Sequence, residues 1–171
     1  MMKTACSESM NTFPQTSEIH YITGKAALNV PNPDGSFADW HFHEVFLSGR
    51  GKIRIAGRDA ESTFPFLGNY GIRECSETLR RFGLAIPDTK KVYTANHVRA
   101  ILDMVLASLA KKKFPSHVVA EEFIDSESEF QELKSKVQEL KTKISDHVTL
   151  SLLQQWEQIT LSPSMKNDST M

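Results

Sequence analysis

The residues best placed to do chemistry are Asp39-Trp40-His41-Phe42-His43-Glu44. On a β-strand alternate side chains share a face, so Asp39, His41 and His43 would project together while Trp40, Phe42 and Phe46 occupy the other face. Two imidazoles one pleat apart can hold one divalent metal such as zinc if a neighbouring element supplies a further ligand; His20 and Glu44 are the available donors, Glu44 being the poorer by strand parity. With Asp39 as ligand or as the group orienting a histidine, a metal-bound water would be the nucleophile of a hydrolase-type reaction.

The run HFHEVFLSGRGKIRIAG resembles the first motif of the cupin family in its paired histidines and its glycine-punctuated return strand. The resemblance stops there. Glu44 follows His43 directly instead of several residues later, and helical periodicity from Ile72 leaves too little β-sequence for a double-stranded barrel, so the family is not assigned. Other chemistries have less support. Cys75 falls on an apolar helical stripe, where a thiol is inert. There is no Gly-x-Ser-x-Gly elbow, no phosphate-binding P-loop and no dinucleotide fingerprint.

Charge offers two further sites. Arg50, Lys52 and Arg54, with Arg58 beyond them, form a basic ribbon, and Arg73, Arg80 and Arg81 a basic helix face; either could follow nucleic-acid phosphates. The connection between the helices expected at 72–83 and from 94 is too long for a helix-turn-helix. Opposite in sign are Glu127, Glu129, Glu132 and Glu139, on an amphipathic segment. Between Arg73 and Lys113 there are nine Lys/Arg against four Asp/Glu, whereas between Val119 and Thr160 there are nine Asp/Glu against four Lys. Such separated blocks either pack on each other or face a partner of opposite charge.

The elements that must position these residues follow from composition and period. With 171 residues, Lys+Arg 20 against Asp+Glu 21, two cysteines and 40% hydrophobic residues, the chain reads as one globular domain that needs no disulfide or metal to fold. Residues 1–17 read as a disordered leader and 163–171 as a disordered tail; no segment reads as a signal peptide or membrane span, so the expected location is cytoplasmic. Residues 18–58 are β-rich. Ile19–Ile22 and Ala26–Val30 are short strand candidates, and Trp40–Leu47 pairs with Lys52–Ile55 as a hairpin. Residues 63–71 form a loop, after which 72–162 turns helical. Ile72, Cys75, Leu79 and Phe82 mark one helix ended by Gly83. Val98, Ile101, Leu102, Val105 and Leu109 mark the buried stripe of a second, with Arg99 and Asp103 on its wet side and Asn96 at its start as a cap. Phe130, Leu133, Val137, Leu140 and Ile144 form a two-heptad seam, Ser145-Asp146 offers an N-cap, and Val148, Leu152, Trp156 and Ile159 make a last stripe, in one bent helix or two.

The fold class expected is α+β: a small antiparallel sheet in the N-terminal half, then a C-terminal bundle of about four helices. The leading functional expectation is a non-enzymatic interaction or regulatory protein, of the antitoxin or adaptor kind, which binds a basic partner surface through Glu127, Glu129, Glu132 and Glu139 and needs no cofactor. It would be a monomer or homodimer. The alternatives are a metal-dependent hydrolase built on Asp39, His41 and His43, and a phosphate-contacting nucleic-acid binder using Arg50, Lys52 and Arg54.

Overall fold

The computed structural model describes residues 14–48, 51–124 and 126–161. The fold is α+β, with a four-stranded mixed sheet followed by helices. The chain divides into two compact units, residues 1–100 and 101–171. Arg50, the leader residues 1–13 with Cys6, and the tail 163–171 lie outside the described residues.

In the first unit the strands are β1 (Ile22–Thr23), β2 (Arg54–Ile55), β3 (Ile72–Glu74) and β4 (Tyr93–Ala95), ordered β2-β1-β4-β3. β1 runs antiparallel to β2, with Ile22 opposite Ile55, and β3 antiparallel to β4. The expectation of a wholly antiparallel sheet fails at the centre, where β1 and β4 are parallel. Parallel neighbours need a long crossover, and the chain between Thr23 and Tyr93 supplies it. Ile22, Leu28, Val30, Ile55, Leu79 and Val92 are buried in this unit.

Several strand assignments are corrected. Ala26–Val30 is not a strand: Gly24–Leu28 forms α1, whose alanine pair favours a helix and whose Gly24 enters it at φ +67°. Trp40–Leu47 is not a strand either, and no hairpin joins it to Lys52–Ile55, because β2 pairs with β1. Phe42 is already helical and His43–Leu47 makes one turn of π-helix. The cause lies in the aromatic side chains. Phe42 and Phe46, four residues apart, have ring centroids 5.2 Å apart, and Phe42 also meets Phe37 and Phe82 edge-on. A helical turn brings residues i and i+4 together, whereas a strand would separate them.

Residues 63–71 contain a short helix, α2 (Phe64–Leu67), begun by a proline in its first turn. Ile72 lies in β3 and not in a helix; α3 starts only at Ser76 and runs to Arg81, with Gly83 at φ +105° just beyond its end, as expected of a terminating glycine. α4 spans His97–Ala110. Asn96 caps it, its Oδ1 accepting from the Arg99 N–H at 2.8 Å. Arg99 and Asp103 are both buried and do not form the wet face expected of them.

In the second unit, α5 (Glu127–Lys143) and α6 (His147–Thr160) are two helices. The break is chemical. Asp146 caps α6, accepting from the Thr149 N–H at 2.8 Å and from Lys112 Nζ at 2.5 Å. These bonds hold its carboxyl well below the usual carboxylate range. Leu133, Val137, Leu140 and Ile144 are buried as their spacing predicts. On α6 the buried residues are Leu153, Trp156 and Thr160; Val148 and Ile159 face outward, so the expected stripe is correct only at Trp156. Trp156 Nε1 donates to the Val118 carbonyl at 2.8 Å. No helix among the described residues is long and apolar enough to cross a membrane.

Candidate functional site

The Asp39–His41 segment is organised by Asn29, the residue that closes α1. Asn29 is buried, and each end of its amide is used: Nδ2 donates to Lys25 O at 2.9 Å and to Asp39 Oδ2 at 3.2 Å, while Oδ1 accepts from the His41 N–H at 2.7 Å. Asp39 donates its N–H to Leu28 O at 3.1 Å. Its Oδ1 accepts from the Trp40 N–H and from His41 Nδ1, both at 2.8 Å. Partial burial pushes the Asp39 carboxyl up, but the bonds from His41, Trp40 and Asn29 prevail and hold it below its ordinary value. A carboxylate can only accept, so the contact places a proton on Nδ1 of His41 and fixes the orientation of its ring.

Trp40 stacks on the His41 ring, with centroids 4.6 Å apart and planes 25° from parallel. It is 84% exposed, the most exposed large hydrophobic residue described. Beneath it in sequence, Phe42 is buried against Phe37, Phe46 and Phe82. The result is a corner at which an exposed indole stacks on His41, between a hydrogen-bonded backbone clamp and an aromatic cluster.

The three-ligand face expected of Asp39, His41 and His43 is not formed. Asp39 and His41 meet, but helical backbone at Phe42 turns His43 away, since residues i and i+2 of a helix do not face each other. Among the described residues no three His, Cys, Asp or Glu side chains are grouped to hold a metal ion. Cys75 is buried, and burial pushes its thiol up to about 12, so it offers no thiolate nucleophile. A surface cleft of about 930 Å³, with Thr16, Ser17, Ile19, Lys90, Lys91 and Tyr93 in its lining, includes neither Asp39 nor His41.

The basic ribbon is described only in part. Arg54 and Lys52 are exposed, Arg54 on edge strand β2, while Arg50 lies outside the described residues. The other arginines are engaged with backbone carbonyls: Arg58 with Gln15, Arg73 with Pro31, Arg80 with Ile86 and Pro87, and Arg81 with Pro33. On α5, Glu127 and Glu129 lie in the first turn and Lys141 and Lys143 in the last, matching the helix dipole at both ends. Glu127 accepts from Gln131 at 2.8 Å, and Glu139 pairs with Lys136 at 3.2 Å. Glu132 lies between them, half-buried.

Sequence reasoning missed the part played by Asn29. The available signal was an Asn at the end of an Ala-rich run, ten residues before an Asp-Trp-His sequence. Comparison with protein-family models, with curated proteins and with solved structures gave no match.

Proposed function

We propose that this chain is a non-enzymatic interaction protein that binds a partner protein with Trp40 as the anchor of the contact. The supporting observation is the exposure of Trp40 on a segment whose backbone and neighbours are fixed by Asn29, Asp39 and His41. An indole in water forgoes the stabilisation that burial would give, and a partner pocket recovers it. Because the clamp has already ordered the segment, little conformational entropy remains to be lost on binding. Tryptophan anchors of this kind dominate binding energies, and their truncation costs roughly 2–4 kcal/mol of affinity.

The acidic start of α5, Glu127, Glu129 and Glu132 with Glu139 further along, supports a partner with a basic surface within the same reading, acting on encounter rate more than on residence time. The protein would act in the cytoplasm, a setting that suits the free thiol of Cys75. Quantitative cross-linking with partner identification by mass spectrometry tests the proposal. Trp40→Ala should reduce capture of the partner roughly 30-fold or more, and charge reversal at Glu127, Glu129 and Glu132 should reduce it more modestly and in a salt-dependent way. Undiminished capture by the Trp40→Ala chain would refute the assignment of the anchor.

A further inference from the structure

Residues 29–41 form a loop closed at its neck. Asp39 donates its N–H to Leu28 O at 3.1 Å and the His41 N–H reaches Asn29 Oδ1 at 2.7 Å, so entry and exit are tied side by side with Trp40 at the exit. Compact loops closed in this way behave as units. The body of this one is held by three side chains from three elements of the first unit, each on a different backbone carbonyl. His97 Nε2, at the start of α4, lies 2.8 Å from Val30 O; Arg73 Nη2, on β3, donates to Pro31 O at 2.7 Å; Arg81 Nη2, at the end of α3, donates to Pro33 O at 3.0 Å. Phe37 then packs edge-on against Phe42 and Phe82.

We propose that His97 is a proton-operated latch on this loop: when its imidazole takes up a proton, residues 30–37 open and the corner that presents Trp40 loosens. This is a regulation of the site read above as a partner anchor, and its consequence for binding rests on that reading. A carbonyl only accepts, so Nε2 of the neutral ring carries the proton shared with Val30 O, and a second proton goes to Nδ1. The closed loop resists that second proton for three reasons. His97, Val30 and Asn29 are all buried, so the new charge would be left almost without hydration. His97 is the first residue of α4, where the positive end of the helix dipole disfavours a cation. Arg73 acts on the same imidazole from β3 as a like charge, and its own Nε is buried without a hydrogen-bond partner. Opposing them is Asp34, in the loop itself, but it is exposed and already accepts from the Ser36 N–H at 2.9 Å and hydroxyl at 2.6 Å, and solvent screens its attraction. Opening the loop admits water to the ring. Below the ordinary histidine value of 6.5 the open form therefore gains a proton that the closed form resists, and opening grows by up to about tenfold per pH unit.

Site-resolved amide hydrogen exchange on the full chain at pH 7.5 and 5.5, corrected for the intrinsic exchange rates, tests the latch without any partner. The Asp39 and His41 N–H groups should lose protection roughly three- to tenfold at the lower pH relative to the Cys75 N–H, which bonds Val92 O at 2.7 Å outside the loop. His97→Gln keeps a donor but cannot titrate, so it should abolish that difference. Arg81→Ala, at an exposed position, removes a latch bond that does not titrate; it should lower the protection of Asp39 and His41 at both pH values and leave their pH ratio unchanged. Equal pH ratios for Asp39, His41 and Cys75 in the native chain overturn the proposal, and that comparison stands even if His97→Gln fails to fold. A pH response that survives in a folded His97→Gln chain overturns it as well, because the titrating group would then be another, and so does Arg81→Ala without effect on either amide. The anchor reading fails by a different result, undiminished partner capture by Trp40→Ala, which leaves the exchange outcome untouched.

Discussion

The Arg99 guanidinium donates from Nη1 to the Tyr70 carbonyl oxygen at 2.5 Å, in a side chain with no exposed surface. The same nitrogen reaches Gly68 O at 2.9 Å, Nη2 reaches Thr63 Oγ1 at 3.0 Å, and the cation sits 5.3 Å from the centre of the Tyr21 ring. One side chain from the first turn of α4 thus gathers the segment around α2 into the first unit. The planar fork makes these bonds together, which an ammonium cannot do. Arg99→Lys is expected to cost about 1–3 kcal/mol through carbonyls left unsatisfied, read from the midpoint of urea unfolding. An unchanged midpoint would mean that the segment is held by other contacts.

Gly71 closes the same corner. It has φ +74°, its carbonyl accepts from the Asn96 N–H at 2.6 Å, and a Cβ added there would lie 2.7 Å from Arg99 Cβ and 2.8 Å from Asn96 Oδ1. Gly71→Ala meets both a disfavoured backbone region and a clash with the α4 cap, so a loss of about 2–4 kcal/mol is expected. Gly35→Ala is the control, because its added Cβ would meet nothing within 4 Å despite φ +90°. If both variants melt alike, backbone strain alone would account for the loss and the packing argument would fall.

His97 supplies a pH dependence. It is buried with Nε2 2.8 Å from Val30 O, and burial, aided by Arg73 and opposed by that carbonyl and by Asp34, lowers its pKa below the ordinary 6.5. Above the ordinary value the imidazole is neutral in both folded and unfolded chains. As pH falls below it, the unfolded chain takes up a proton that the folded chain resists, so stability falls. Urea midpoints at pH 7.5 and 5.5 should differ more in the native chain than in His97→Gln. Equal pH slopes would remove His97 from the account.

Trp156 should be sensitive to a conservative change. It is fully buried, and its Nε1 bond to Val118 O is the indole's polar tie. Trp156→Phe keeps a ring but strands the carbonyl and leaves a void, with an expected cost of about 2–4 kcal/mol in thermal or urea unfolding. A loss below about 0.5 kcal/mol would imply that solvent reaches that carbonyl.

Trp40 should behave in the opposite way. Trp40→Ala is expected to leave stability within about 0.5 kcal/mol, since the side chain buries little in the free chain. A larger loss would recast the indole as a structural cover for His41.

The helical seam of α5 was legible because Leu133, Val137, Leu140 and Ile144 share one period and one fate; the capping potential of Asp146 was legible too, but an N-cap signal alone does not separate one bent helix from the two that form. The last stripe was misphased for an informative reason. Two neighbouring seams lie on α6, and a line drawn through Val148, Leu152, Trp156 and Ile159 crosses from one to the other. Trp40–Leu47 was misread because aromatic content favours strands on average, while the contacts that decide this segment, Phe42 with Phe37 and Phe82, come from residues distant along the chain. Asp39 and His41 were identified as partners, but the agent that sets them, Asn29, carries no motif.

The chain's two tryptophans sit in opposite surroundings, Trp40 in water and Trp156 with no exposed surface. Their emission is therefore separable without any label: Trp40 should emit far to the red and be quenched readily by iodide, while Trp156 emits to the blue and is shielded. A shift in the red component at constant blue emission would register occupancy of the Trp40 corner. Loss of the blue component would register unfolding of the second unit, so one titration follows recognition and integrity as separate signals.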